Sequence, residues 1–148
     1  MRGSLLAQLS RPVEAEEELR TAVSLDPCDV TWAALSDFYR DHGRAPEAIQ
    51  SMQRAAALST MPYSYQSRLG YLYLSANQPR DALRAFDKAE AIAPKGLHAA
   101  EYGTFDVMLA RGRSVAWNQL GDLTRAISFQ QKAAELNAAA AAEQKQQR

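Results

Sequence analysis

The chain has 148 residues and 17 Lys+Arg against 17 Asp+Glu, for a formal net charge of zero. That balance excludes a general nucleic-acid or anionic-membrane binder, which carries a basic excess. A single cysteine, Cys28, excludes an internal disulfide and a cysteine-based metal cluster.

No run approaches ~18 consecutive apolar residues, so no segment is expected to span a bilayer. No signal peptide is evident. Met1-Arg2-Gly3-Ser4 reads as a cloning remnant, and the chain as a piece of something longer. The compartment stays open, with the cytoplasm favoured over the periplasm. Alanine is abundant and β-branched residues are sparse, which points to an all-α protein.

Taken in chain order, the apolar periodicity predicts helices over 2–9, 12–25, 30–42, 46–58, 63–76, 79–92, 104–119 and 123–143. Pro12 opens the second of these, and Glu14, Glu16, Glu17 and Glu18 fall in its first turns. Acids there interact favourably with the helix dipole, so they read as a solvated face. Cys28 is expected to be a small buried or half-buried side chain close to a helix start. His42 precedes Gly43 at a helix C-terminus, where its ring suits the dipole. Asn77-Gln78-Pro79 marks a corner between two helices. His98 and Glu101 fall in a loop and read as solvated. After Leu136 no large apolar residue remains, so the last helix should end as a polar extension that frays.

The prolines are periodic. Pro12, Pro46 and Pro79 sit just inside helix starts at intervals of 34 and 33, and Pro27, Pro62 and Pro94 sit just past helix ends at intervals of 35 and 32. A period near 34 is an internal repeat. Trp32, Leu35, Ser36, Tyr39, Gly43, Ala48, Met52 and Ala55 form one series. Gln66, Leu69, Gly70, Tyr73, Asn77, Ala82, Phe86 and Ala89, closed by Pro94, form the next.

These residues resemble the tetratricopeptide repeat, W-x2-L-G-x2-Y followed by A, A-x3-F and P. The match is best over 29–94 and looser over 2–28 and 104–137. Gln66 replaces the pattern Trp, Ser36 the Gly and Met52 the Phe. Ala15, Leu19, Ala22 and Pro27 look like the second half of an earlier unit, with Gly3 and Leu6 at the tail of its first helix. Trp117, Gly121, Ala126 and Ala133 fit a last unit, in which Arg113 replaces the pattern Leu, Ser114 the Gly and Gln130 the Phe. Phe129 stands one residue off.

The resemblance implies a right-handed α-α superhelix of stacked helix-turn-helix repeats. It divides a single domain, 1–148, into a partial unit 1–28, units 29–62 and 63–94, an inserted loop 95–103, a last unit 104–137 and a polar extension 138–148. In such a unit small residues such as Gly70, Ala48 and Ala82 sit where helices cross. Large ones such as Trp32, Tyr39, Tyr73 and Phe86 fill the gaps. One pair cannot bury its own apolar stripe, so neighbours stack.

No catalytic, cofactor-binding or metal-binding residue stands out. The phosphate-loop, dinucleotide and metalloprotease motifs are missing, and so is the nucleophile elbow. His42 and His98 lack partners at ligand spacing. The reading is therefore not an enzyme and needs no cofactor.

The resemblance also implies a concave groove lined by the first helix of each unit. Helical spacing places Ala33, Ala34, Asp37, Arg40 and Asp41 on that face in one unit. Ser67, Arg68, Tyr71, Leu74 and Ser75 follow in the next, and Arg111, Gly112, Val115, Asn118 and Gln119 in the last. The candidate partner-binding residues are Asp37, Arg40, Asp41, Arg68, Tyr71, Arg111, Asn118 and Gln119, with Tyr71 as an exposed anchor. The partner would be another protein or peptide, with no nucleic acid and no membrane insertion. The Lys, Asn, Asn, Lys and Arg clamp that grips chaperone tails is absent, because Ala34, Ala33 and Asp37 occupy clamp positions. A Glu-Glu-Val-Asp peptide is expected not to bind saturably. The competing reading is a structural or oligomerisation segment of a larger protein, with homodimerisation through the incomplete N-terminal unit.

Overall fold

The structure is a computed structural model that describes the backbone over 2–94 and 103–146 and the side chains over 11–94, 105–142 and 145. Residues 95–102 of the expected inserted loop, with His98 and Glu101, lie outside the described residues, and Gly103 already belongs to a helix. Helices follow one another as α1 (Arg2–Leu25), α2 (Asp29–Asp41), α3 (Ala45–Leu58), α4 (Pro62–Ser75), α5 (Pro79–Ile92), α6 (Gly103–Gln119) and α7 (Leu123–Gln146). They fall into two compact units, Met1–Pro62 and Tyr63–Arg148.

Three corners join helix pairs, and they are built alike. Gly43, Asn77 and Gly121 take φ of 69°, 56° and 81°, the left-handed conformation that closes a helix. At each corner the N–H of that residue bonds three residues back, to the carbonyls of Arg40, Leu74 and Asn118 at 3.0 Å. The following N–H bonds five back, to the carbonyls of Tyr39, Tyr73 and Trp117 at 2.8, 2.8 and 3.0 Å. Pro46 and Pro79 then open α3 and α5 in the first turn, where a missing N–H costs nothing. Asn serves in the second corner because, after glycine, it tolerates positive φ best.

Pro12 behaves differently, and the expected break at 2–9 and 12–25 is corrected. The helix runs unbroken through it from Arg2 to Leu25. The physical reason lies upstream. Pro46 and Pro79 follow Gly43 and Asn77 by three and two residues, whereas Gln8-Leu9-Ser10-Arg11 offers no residue suited to positive φ. Without that turn the chain keeps helical dihedrals and gives up one backbone bond at the proline. Glu14, Glu16, Glu17 and Glu18 are consequently mid-helix, and the dipole argument for them fails.

Packing within each helix pair follows the repeat. In the first, Leu35, Tyr39, Ala48, Met52 and Ala55 are buried, and the Ser36 hydroxyl, fully buried, donates to the Ala48 carbonyl at 2.7 Å. In the last, Ser114 donates to the Ala126 carbonyl at 2.8 Å in the same way. The middle pair has Gly70 there. Its hydrogen faces the Phe86 ring so closely that a Cβ would come within 2.3 Å of it. A Cβ on Gly112 of α6 would likewise come within 2.3 Å of the tip of the same ring. Phe86 is 0% exposed, held between two glycines with Leu74, Ala82, Ala89 and Leu109 around it. Burying such a ring contributes about 1.5–3 kcal/mol by transfer alone.

Cys28 is half-buried at the start of α2, as its position suggested. Its N–H bonds Thr31 Oγ1 at 3.2 Å, and that hydroxyl donates to the Asp26 carbonyl at 2.7 Å.

Candidate functional site

Each expected groove residue is placed by a first helix, α2 in one unit and α4 or α6 in the other. On α2 the charges satisfy one another. Arg40 reaches Asp37 at 2.7 Å and Asp41 at 2.9 Å, so one guanidinium gathers both carboxylates. These are surface pairs, worth about 0–1 kcal/mol each. His42 ends the helix with Nδ1 at 2.7 Å from the Phe38 carbonyl and its ring against Phe38 at 4.1 Å. Ala33 is buried and Ala34 exposed.

The face in the second unit is narrower than helical spacing alone suggests, because α4 packs on two sides. Gly70 meets Phe86 of α5, and Tyr71 meets α6. Tyr71 is half-buried, not exposed: its hydroxyl donates to the Met108 carbonyl at 2.6 Å and its ring meets Phe86 edge-on at 5.3 Å. Burial raises its pKa, while the nearby positive charge of Arg111 works the other way. Ser67, Leu74 and Gly112 also turn inward.

What remains toward solvent is a basic strip. Arg68 is half-buried, with its guanidinium 5.8 Å from the Tyr65 ring centre. Arg111 is exposed and enters no ion pair among the described residues. Val115 is 45% exposed, and Asn118 and Gln119 are exposed beyond it. Gln119 Nε2 donates to the Leu74 carbonyl at 3.3 Å. Helix α4 carries no acid, and α6 carries only Asp106, which lines a small charged cavity with Arg113 and Lys132. Arg111 therefore faces solvent without an ion pair among the described residues, and Arg68 stands half-buried beside Tyr65.

Two charged nodes escaped the repeat pattern. In the first unit Glu16 accepts from Tyr39 Oη at 3.0 Å and from Arg44 at 2.7 Å, and it lies 3.5 Å from Arg20. It ties α1 to the α2–α3 corner. Arg44 also stacks over Tyr39 at 4.4 Å and holds Glu47 at 2.9 Å. The carboxyl of Glu47 lies below its ordinary range, first through its own backbone N–H and then through Arg44. A carboxylate aimed at a neighbouring helix cannot be told from a solvated one by spacing within its own helix.

In the second unit Arg113 is 6% exposed and reaches Asp87 at 2.8 Å and Glu90 at 2.6 Å. Burial opposes its charge, but the bonds from Glu90 and Asp87 more than restore it, so its pKa is raised. The guanidinium also lies 5.8 Å from the Phe129 ring centre, which gives that off-register ring a partner. Arg113 showed in the sequence as an anomaly at a leucine position. The signal for its role was Asp87 and Glu90, three residues apart on the neighbouring helix.

Among the described residues no His, Cys, Asp and Glu group is arranged to hold a metal, and no helix is long and apolar enough to cross a membrane. The first unit contains a cavity of about 380 Å³, floored by Val23, Trp32 and Leu35 and rimmed by Arg20, Gln50 and Arg54.

The fold has solved counterparts. Two crystal structures of MamA, each 24% identical, match 94% of this chain and 71% and 76% of theirs, with TM-scores of 0.71 and 0.72. A third MamA structure, MSR-1 C2, is 18% identical with a TM-score of 0.67, over 90% of this chain and 71% of its own. At these identities the likeness shows the helical-repeat fold and nothing more. No family model and no curated protein matches the chain.

Proposed function

We propose that the chain is a non-catalytic protein-interaction scaffold of tetratricopeptide-repeat type, and that the α4–α6 strip holds an extended acidic segment of another protein. One observation carries the reading: Arg111 is exposed and enters no ion pair among the described residues, while the charges of α2 are mutually paired. Guanidinium groups bind carboxylates in forked pairs, and Tyr65 and Val115 offer apolar contact beside them. Asn118 and Gln119 extend the strip with amides suited to a peptide backbone. Asp37, Arg40 and Asp41 drop to a minor part, because a partner would have to break an existing ion cluster.

Calorimetry with a Glu-rich peptide tests this. Saturable binding that weakens with salt, and that Arg68→Ala with Arg111→Ala abolishes while circular dichroism stays unchanged, is the expected result. Binding indifferent to both substitutions would overturn it. A Glu-Glu-Val-Asp peptide should show no saturable binding, and a micromolar complex would contradict that.

A second reading rests on a separate observation. Val13, Leu25 and Val30 of the first unit are 57%, 80% and 65% exposed. Exposed apolar side chains of this size suit a structural contact, including a homodimer. Light scattering that gives a strict monomer at high concentration would remove the homodimer.

A further inference from the structure

We infer that the Trp32 cavity of the first unit is a second, independent site, and that it takes the C-terminal residue of a polypeptide that ends in a large apolar side chain. The cavity holds about 380 Å³, within the range of ligand pockets and enough for one such residue with its carboxylate. Its depth is apolar: Val23 and Leu35 are 8% and 4% exposed, with the half-buried Trp32 indole between them. Its rim is polar and exposed at Arg20, Gln50 and Arg54.

The charges around it fail to cancel. Arg20 has Glu16 at 3.5 Å, and Glu47, also on the rim, is held by Arg44 at 2.9 Å. Arg44 shares Glu16 at 2.7 Å. Arg54 enters no ion pair among the described residues. Three guanidiniums thus meet two carboxylates, and the unmatched one stands at the mouth of an apolar pocket. A chain terminus brings the missing carboxylate and an apolar side chain on the same Cα. It also brings a peptide group for the Gln50 amide, which a simple fatty acid lacks. Trp32 makes the pocket particular to this repeat, since Gln66 stands at the equivalent place in the next.

The test uses Trp117→Phe, which leaves Trp32 as the only tryptophan of the chain. Trp32 emission is followed against a short peptide ending in leucine with a free carboxylate, the same peptide amidated, and octanoate. The free-acid peptide should change the emission saturably. The amide should bind about tenfold more weakly or worse, and so should Arg54→Gln with the free acid. Arg54 is exposed, so that substitution leaves folding intact. Arg68→Ala with Arg111→Ala should leave the response unchanged, which keeps this site separate from the α4–α6 strip. No saturable change, equal binding of acid and amide, or indifference to Arg54→Gln would overturn the inference. Octanoate binding as tightly as the peptide would overturn the polypeptide assignment.

Discussion

At the crossing of α2 and α3 the Ser36 hydroxyl reaches the Ala48 carbonyl, while at the crossing of α4 and α5 the Phe86 ring lies against the bare backbone of Gly70. The corners beside these crossings share one hydrogen-bond pattern. The difference is a trade between two coupled positions. With Met52 opposite, there is room for a Cβ and a hydroxyl that satisfies a carbonyl. With Phe86 opposite, there is room for neither. In the third pair Ser114 again bonds the facing carbonyl, and Gln130, at the repeat position of Met52 and Phe86, is exposed and leaves the crossing open. The repeat therefore fixes a volume at the crossing rather than a residue.

The largest break in this comparison is Phe86→Ala. The ring is fully buried between two glycines, which cannot fill the void, so the loss should be about 3–5 kcal/mol. Denaturant midpoints measure it, and a loss under about 1 kcal/mol would show that the crossing collapses freely.

Gly70→Ser comes next, at about 1–3 kcal/mol from overpacking against the ring. Adding Phe86→Met recreates the Ser36 and Met52 pairing and should recover part of that loss. A double-mutant cycle reads the coupling directly, and strict additivity would mean that the two positions do not share a volume.

The buried charge offers a third test. Removing both acids by Asp87→Ala and Glu90→Ala strands the Arg113 guanidinium. The cost should be about 2 kcal/mol, below the ~3–5 of a fully buried pair, because both carboxylates are hydrated. Arg113→Leu restores the pattern residue and should be near neutral. The smallest loss expected at a crossing is Ser36→Ala, about 1 kcal/mol for one hydrogen bond whose carbonyl acceptor stays within a helix.

The legible part of the fold is what depends on local geometry. Gly43, Asn77 and Gly121 announced the corners, and Leu69, Gly70, Ala82, Phe86 and Ala89 announced the crossing, because these positions obey backbone dihedrals and helical spacing. Pro12 misled because a proline signals a helix start only when a turn residue precedes it. Side-chain contacts from one helix to another were not legible. Tyr71 looked exposed because its own helix said nothing about Met108 on α6. Glu16 looked solvated because Tyr39 and Arg44 lie on other elements. The candidate site is legible in the same proportion: Arg68 and Arg111 were named from spacing, whereas the pairing of Arg40 with Asp37 and Asp41, which separates the two faces, required coordinates.

The most direct measurement of the central claim is a map of amide chemical-shift changes as a Glu-rich peptide is added to the intact chain. The account predicts changes gathered on Tyr65, Arg68, Arg111, Val115 and Asn118, with Asp37, Arg40 and Asp41 unmoved. Changes centred on α2, or none at saturating peptide, would contradict it.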